Sequence, residues 1–299
     1  MNARMDNPTM NEPRAVEARQ AHGKVGASPI LVTGGTGTLG RLVVPRLRDA
    51  GCTVRVLSRR SREAGEGIEV VTGDLATGEG IVAAVEGAAI IVHLAGGPKG
   101  DAQATRNLVK AASRTGVRRL VYISVIGADR VPLGWFTSKL DAERAVADSG
   151  LPWTTLRAAQ FHDLVLTVVR KMAKLPVLPI PGGLRFQPVD AGDVAARLVD
   201  LTLAKPAGMA PDLVGPTVYG LGDLARSYLQ ACGKHRLMMP VWMPGKAGRA
   251  YRASENLSLH GADIGTRTWE EFLAERVRAS RDSRSHGASG PELADDLSR

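Results

Sequence analysis

Pro29-Ile30-Leu31-Val32-Thr33-Gly34-Gly35-Thr36-Gly37-Thr38-Leu39-Gly40 holds an apolar run, a glycine-rich turn and the start of a helical pattern that continues to Ala50. The β-branched run favours extended backbone, so Pro29 to Thr33 reads as a strand. Glycine tolerates the sharp reversal that follows. Between a strand and a helix, each glycine has its own task. Gly34 permits the tight turn, Gly37 lets the backbone approach a diphosphate, and Gly40 lets the helix pack close to a sheet. The helix N-terminus adds free N–H groups and partial positive charge, which suit phosphate. Thr36, Thr38 and Leu39 complete the candidate binding loop. Three glycines in register weigh against a turn that binds nothing.

Outward from this turn, short β-branched runs alternate with helical patterns. Strands are expected at 53–57, 68–71, 89–93, 120–124 and 153–157, with helices at 79–86, 99–115 and 137–149. Strand–helix–strand repetition implies parallel pairing through right-handed crossovers. Runs that are apolar throughout suit strands covered on both faces. The expected fold is α/β, a Rossmann-type doubly wound parallel sheet with a small C-terminal substrate lobe. That lobe is placed mainly at 160–187 and 212–278, within a domain spanning 29–280. Beyond residue 157 the chain is expected to form helices at 161–174, 190–203, 221–231 and 269–278, a short strand at 217–219, and a Pro/Gly-punctuated loop or edge hairpin at 175–183. Either Asp190 or Asp193 can cap the helix that starts there. The polar segments 1–28 and 281–299 have little to bury and are expected to be disordered.

The 299 residues are 44% hydrophobic and 4% aromatic, enough for a substantial core of small side chains. The net charge of +9 reads as a generally basic surface, because no basic run is interleaved with aromatics. No nucleic-acid partner is therefore expected. Two distant cysteines, Cys52 and Cys232, give neither a metal spacing nor a disulfide framework, and a cytoplasmic location fits them. No apolar run is long enough to span a bilayer.

The end of the second strand bears on cofactor choice. An acidic residue there would hold a ribose 2′-hydroxyl, but the chain has Ser58-Arg59-Arg60. Arg59 could clamp a 2′-phosphate bidentately, which favours NADP(H) over NAD(H); otherwise both arginines are solvated loop charges. After the third strand, Asp74 and Leu75 suit an adenine, although Asp74 equally suits a turn cap. After the fourth, Leu94-Ala95-Gly96 lets backbone come near the cofactor, while His93 reads as a structural strand-end residue.

Together these motifs resemble the short-chain dehydrogenase/reductase superfamily in its atypical or extended form, closest to the NmrA-like NAD(P)H-binding reductases, over about residues 29–275. The resemblance implies a catalytic Ser at Ser124 and a Tyr-x-x-x-Lys ending at Lys139. The chain departs from it, because Trp135 stands where the Tyr would be. An indole N–H can donate a hydrogen bond but cannot transfer a proton at neutral pH. Lys139 could still hold ribose hydroxyls, and Ser124 could still bond an acceptor oxygen. His162 offers a titratable group near the substrate lobe, or is an ordinary helix-start residue. Tyr122 reads as core. Glu143 could pair with Lys139, and Asn107 could bond backbone near the site. The helix at 164–172 could line a pocket, lie on a membrane face or pack in the core. Met238, Met239, Trp242 and Met243 could form a lid or pack internally. No metal site is expected. The implied activity is hydride transfer from NADPH to a small apolar carbonyl, enone or quinone by a monomer or homodimer. The competing reading is an NADP(H)-binding sensor or scaffold without turnover.

Overall fold

The computed structural model describes residues 28–285 apart from 62, 64, 66, 98 and 99. The first half alternates strand and helix, except that β2 is followed directly by β3 among the described residues. It runs β1 (Ile30–Thr33), α1 (Gly40–Asp49), β2 (Val54–Ser58), β3 (Ile68–Thr72), α2 (Ile81–Val85), β4 (Ile90–His93), α3 (Asp101–Ala112), β5 (Arg119–Val125), α4 (Gly134–Ala147) and β6 (Trp153–Ala158). All these strands pair in parallel in the order β3-β2-β1-β4-β5-β6. The order reverses between β1 and β4, and the crevice outside the carboxyl ends of those strands is where an open α/β sheet binds its ligand.

Both faces of the sheet are covered. Val43 and Leu47 of α1 and Val32, Val56 and Val92 of the sheet form one core. Ile81 of α2, Leu108 of α3 and Val146 of α4 pack on Leu31, Leu120 and Tyr122 in the other. Leu31 and Val32 are adjacent and fully buried on opposite faces, which explains why the strand shows no polar alternation.

Beyond β6 come α5 (His162–Met172), β7 (Val177–Pro181), β8 (Arg185–Phe186), α6 (Ala191–Leu203), β9 (Gly208–Met209), β10 (Leu213–Val214), β11 (Tyr219–Gly220), α7 (Leu221–Ala231), β12 (Leu237–Val241), α8 (Gly245–Arg252), β13 (Asp263–Ile264) and α9 (Trp269–Ser285). Helix α6 packs beside α1, and Val194 and Leu198 join its core. Asp190 is its N-cap, accepting from the Gly192 N–H at 2.7 Å. Asp193 instead accepts from the backbone of Thr266 and Arg267. Helices α5, α7 and α9 enclose a separate lobe core around Val169, Leu224, Trp269 and Phe272.

Two expectations change here. The 175–183 segment is not a hairpin: β7 pairs in parallel with β12, in the register Leu237 opposite Val177. The last helix runs to Ser285, past the expected boundary at 280. The rest of the two terminal extensions lies outside the described residues. Among those described, no helix is long and apolar enough to cross a membrane.

Candidate functional site

The turn after β1 sits at the strand-order reversal. Gly34 has φ +69°, and a Cβ there would lie 2.6 Å from the Ala95 backbone nitrogen. Glycine is therefore required twice over, by conformation and by the loop after β4. A Cβ on Gly40 would lie 2.2 Å from the Gly34 carbonyl oxygen and 2.4 Å from the Gly35 Cα. Gly37 differs: its Cβ would meet only the Gly34 oxygen, at 3.3 Å. Thr36, Gly37 and Thr38 are exposed, while Leu39 and Gly40 are buried. Two glycines thus serve the protein's own packing, and the third leaves open a cradle of backbone amides at a helix start. That cradle fits a dinucleotide diphosphate.

The loop after β4 is held against this turn by a directed chain of hydrogen bonds. The Ala95 N–H donates to Thr33 Oγ1 at 3.3 Å, and Thr33 Oγ1 meets His93 Nδ1 at 2.6 Å. His93 Nε2 meets Thr105 Oγ1 at 3.0 Å, whose hydroxyl donates to the Asp101 carbonyl at 2.8 Å. Thr105 spends its proton on Asp101, so it accepts from His93, and the imidazole is neutral with its proton on Nε2. Burial, with the nearby Lys139 ammonium adding to it, pushes His93 down to about 3. The unfolded chain, with an ordinary His near 6.5, takes up this proton first. Stability is therefore complete above about pH 6.5 and falls by up to about 1.4 kcal/mol per pH unit as pH drops towards 3. Urea unfolding at pH 7 and 5.5 should show this loss in the parent and a shallower one in His93→Gln; equal slopes would refute the assignment.

Lys139 is buried on α4. Its Nζ lies 3.0 Å from Asp101 Oδ2, and both side chains are almost wholly enclosed. Longer contacts run to the Tyr122 hydroxyl at 3.4 Å and the Ile123 carbonyl at 3.5 Å. Asp101 Oδ1 accepts from the Gly97 N–H at 2.7 Å, so the carboxylate ties the lysine to the loop after β4. A Cβ on exposed Gly96 would lie 3.0 Å from Lys139 Nζ. Ser124, near the end of β5, is 5% exposed, and its hydroxyl has no hydrogen-bond partner among the described residues. An unpartnered buried hydroxyl is a costly arrangement that a bound acceptor oxygen would relieve. Trp135 lies in the first turn of α4, edge-on to Phe136 at 5.0 Å, and packs against the cluster of Val125, Ala128 and Val131.

Residues 34–202 match the family described as NAD(P)H-binding. The chain belongs to this NAD(P)H-binding family. Over 194 residues it is 34% identical to a (4-alkanoyl-5-oxo-2,5-dihydrofuran-3-yl)methyl phosphate reductase of Streptomyces griseus, covering 62% of this chain and 68% of that one. It is 26% identical to quinone oxidoreductase 2 of Escherichia coli, covering 69% and 75%. The crystal structure of that NADPH-dependent quinone oxidoreductase complexed with NADPH superposes with a TM-score of 0.71 at 22% identity, over 84% of this chain and 99% of that one. The Citrobacter triphenylmethane reductase complexed with NADP(H) gives 0.68 at 23%, over 83% and 99%. The chain thus carries the NAD(P)H-binding fold of oxidoreductase relatives.

This NAD(P)H-binding protein arranges the remaining candidates unevenly. Arg59 is exposed just past β2, on the same carboxyl edge of the sheet as the glycine turn. Asp74 Oδ1 accepts from the Ala76 N–H at 2.8 Å, so the side chain closes its own turn. Asn107 donates to the Leu75 carbonyl at 2.8 Å and steadies that loop from α3. Leu94 and Ala95 are half-buried against the glycine turn. His162 is fully buried among Trp269 and Phe272, its Nδ1 3.8 Å from Asp190 Oδ2. It faces the lobe core, away from solvent.

Glu143 does not pair with Lys139. It receives both arms of Arg157, at 2.9 and 2.7 Å. Asp101 takes its place beside the lysine. Residue patterns missed Asp101 because it comes from a different helix, with no spacing rule linking it to Lys139. Tyr122 is core, as expected, but its hydroxyl reaches the lysine as well.

Proposed function

We propose that the protein is an NADPH-dependent reductase passing hydride to a small apolar acceptor, a carbonyl, an enone or a quinone. The observation that carries this reading is the buried, unpartnered Ser124 hydroxyl on the strand beside Lys139. The nicotinamide supplies the hydride when bound. The chain's own residues do the rest. The amides around Gly37 hold the diphosphate, and Arg59 takes the 2′-phosphate as a bidentate donor. Leu75 packs on the adenine side. Lys139 keeps its short bond to Asp101 and turns the donors of its two long contacts to ribose hydroxyls. Ser124 donates to the acceptor oxygen.

Trp135 narrows the acceptor. No proton-transferring phenol stands four residues before Lys139, so acceptors whose reduced anions are already stabilised fit best. The relatives' names, which speak of a quinone and an oxo-dihydrofuran, support this class. Trp135 also favours the second reading, a sensor that binds NADP(H) without turnover.

Stopped-flow oxidation of bound NADPH separates the two. Quinones and enones should oxidise it readily, and simple ketones slowly. Trp135→Tyr should raise ketone reduction by about a hundredfold while leaving quinone rates nearly unchanged. Tight NADPH binding with no oxidation by any acceptor would establish the sensor instead.

A further inference from the structure

Two stretches of this generally basic chain carry cations with no acidic residue among them. Residues 164–189 carry four Lys or Arg and no Asp or Glu, and residues 224–254 carry six and none. Together these ten cations exceed the net charge of the whole chain, +9. The fold brings the two segments side by side, because β7 lies in the first, β12 in the second, and they pair in parallel. The turn before β7 and the turn before β12 therefore meet at one end of a two-stranded ribbon. An open depression there is lined by Lys174, Arg226, Lys234, His235, Arg236 and Leu237, and none of the residues lining it is acidic. Arg226 pairs with Asp223 at 2.8 Å from outside the depression.

The ribbon has two faces. Leu178, Ile180 and Met238 turn inward to the lobe core. By strand alternation, Val177, Pro179, Leu237 and Met239 turn outward. Leu237 is 69% exposed and Met239 50%. Leu175, in the turn before β7, is 45% exposed. Trp242, just beyond β12, is 70% exposed, with the Arg252 guanidinium stacked 3.8 Å over its ring. A sheet face of aliphatic side chains, flanked at one end by ammonium groups and at the other by a Trp–Arg pair, is complementary to one chemistry in particular. Anionic headgroups meet the cations, and hydrocarbon or the headgroup boundary meets Leu237, Met239 and Trp242. A polyanion such as DNA would satisfy the charges and leave the aliphatic face wet.

We propose that the outer face of the β7–β12 ribbon docks the protein on an anionic lipid surface. This does not depend on the catalytic reading, and its test reads binding, not turnover. The full chain is expected to float with phosphatidylcholine vesicles containing phosphatidylglycerol, and to stay in solution with phosphatidylcholine alone. Added salt should release it. Combined Lys174→Gln, Lys234→Gln and Arg236→Gln should weaken partitioning about a hundredfold. Lipids brominated in the acyl chain should quench a fluorescence component that Trp242→Phe lacks. Leu237→Ser with Met239→Ser should abolish that quenching while sparing salt-sensitive adsorption. NADPH binding, retained in each variant, reports folding. The proposal is overturned by failure to float with anionic vesicles or by undiminished flotation of the triple Gln variant. Tighter retention on duplex DNA than on vesicles would also overturn it. A dimer dispersed by Leu237→Ser would give the face to a second copy of the chain instead.

Discussion

Gly37→Ala is expected to fold with nearly parental stability and to lose at least about tenfold in NADPH affinity, whereas Gly40→Ala is expected to lose stability first. The two positions look alike in the sequence, but their surroundings do not. A methyl group at Gly40 would sit 2.2 Å from one backbone oxygen and 2.4 Å from the Gly35 Cα. Neither can move without pulling α1 off the sheet, so the cost is overpacking against backbone, about 3 kcal/mol. At Gly37 the methyl group meets a single oxygen at 3.3 Å, and the residue is exposed. A shift of a few tenths of an ångström relieves that, at a cost within about 1 kcal/mol. What the methyl group does occupy is the approach to the amide cradle, so the penalty falls on the ligand. Thermal melts without nucleotide, paired with NADPH titrations, separate the effects. A Gly37→Ala protein that binds NADPH as well as the parent would show that the diphosphate lies elsewhere.

The contrast between these glycines also marks what could be read from residue order. Strand, turn and helix at 29–50 are local: β-branched residues, glycine and a helical pattern follow one another within one α/β unit. Their reading needs no distant partner, but the reversal of strand order between β1 and β4 does not follow from repeating the unit. The β7–β12 pairing is different. Its strands come from segments separated by two helices, each punctuated by proline, and no local signal says which proline-broken run will pair with which. The ion pairs failed for a related reason. Helical spacing offered Glu143 to Lys139, an interaction worth only a few tenths of a kcal/mol. The fold instead sets Arg157 on β6 next to Glu143, where a planar guanidinium meets both carboxylate oxygens at 2.9 and 2.7 Å. A two-pronged, charge-assisted contact outweighs a single flexible one. Lys139 is then left to the carboxylate that the start of α3 delivers.

That buried pair should dominate the energetics of the site. Replacing Asp101 by Asn strands the Lys139 ammonium in an enclosed space and should cost about 3–5 kcal/mol. Replacing Lys139 by Met strands the Asp101 carboxylate, whose remaining hydrogen bond among the described residues is from the half-buried Gly97 N–H at 2.7 Å. The loss there should be somewhat smaller, because that bond offsets part of the burial. The double variant removes both charges and leaves an amide on Gly97 beside an apolar side chain near Tyr122. It should be more stable than either single variant, so the two substitutions should be strongly non-additive. Urea denaturation of the four proteins measures this coupling, and a coupling near zero would mean that the 3.0 Å contact contributes nothing. NADPH titration of the same four proteins asks a second question. If Lys139 also holds the ribose, the double variant regains stability without regaining affinity. Recovery of both would make the lysine a purely structural counter-ion, and cofactor binding would rest on the amides of the glycine turn and on Arg59.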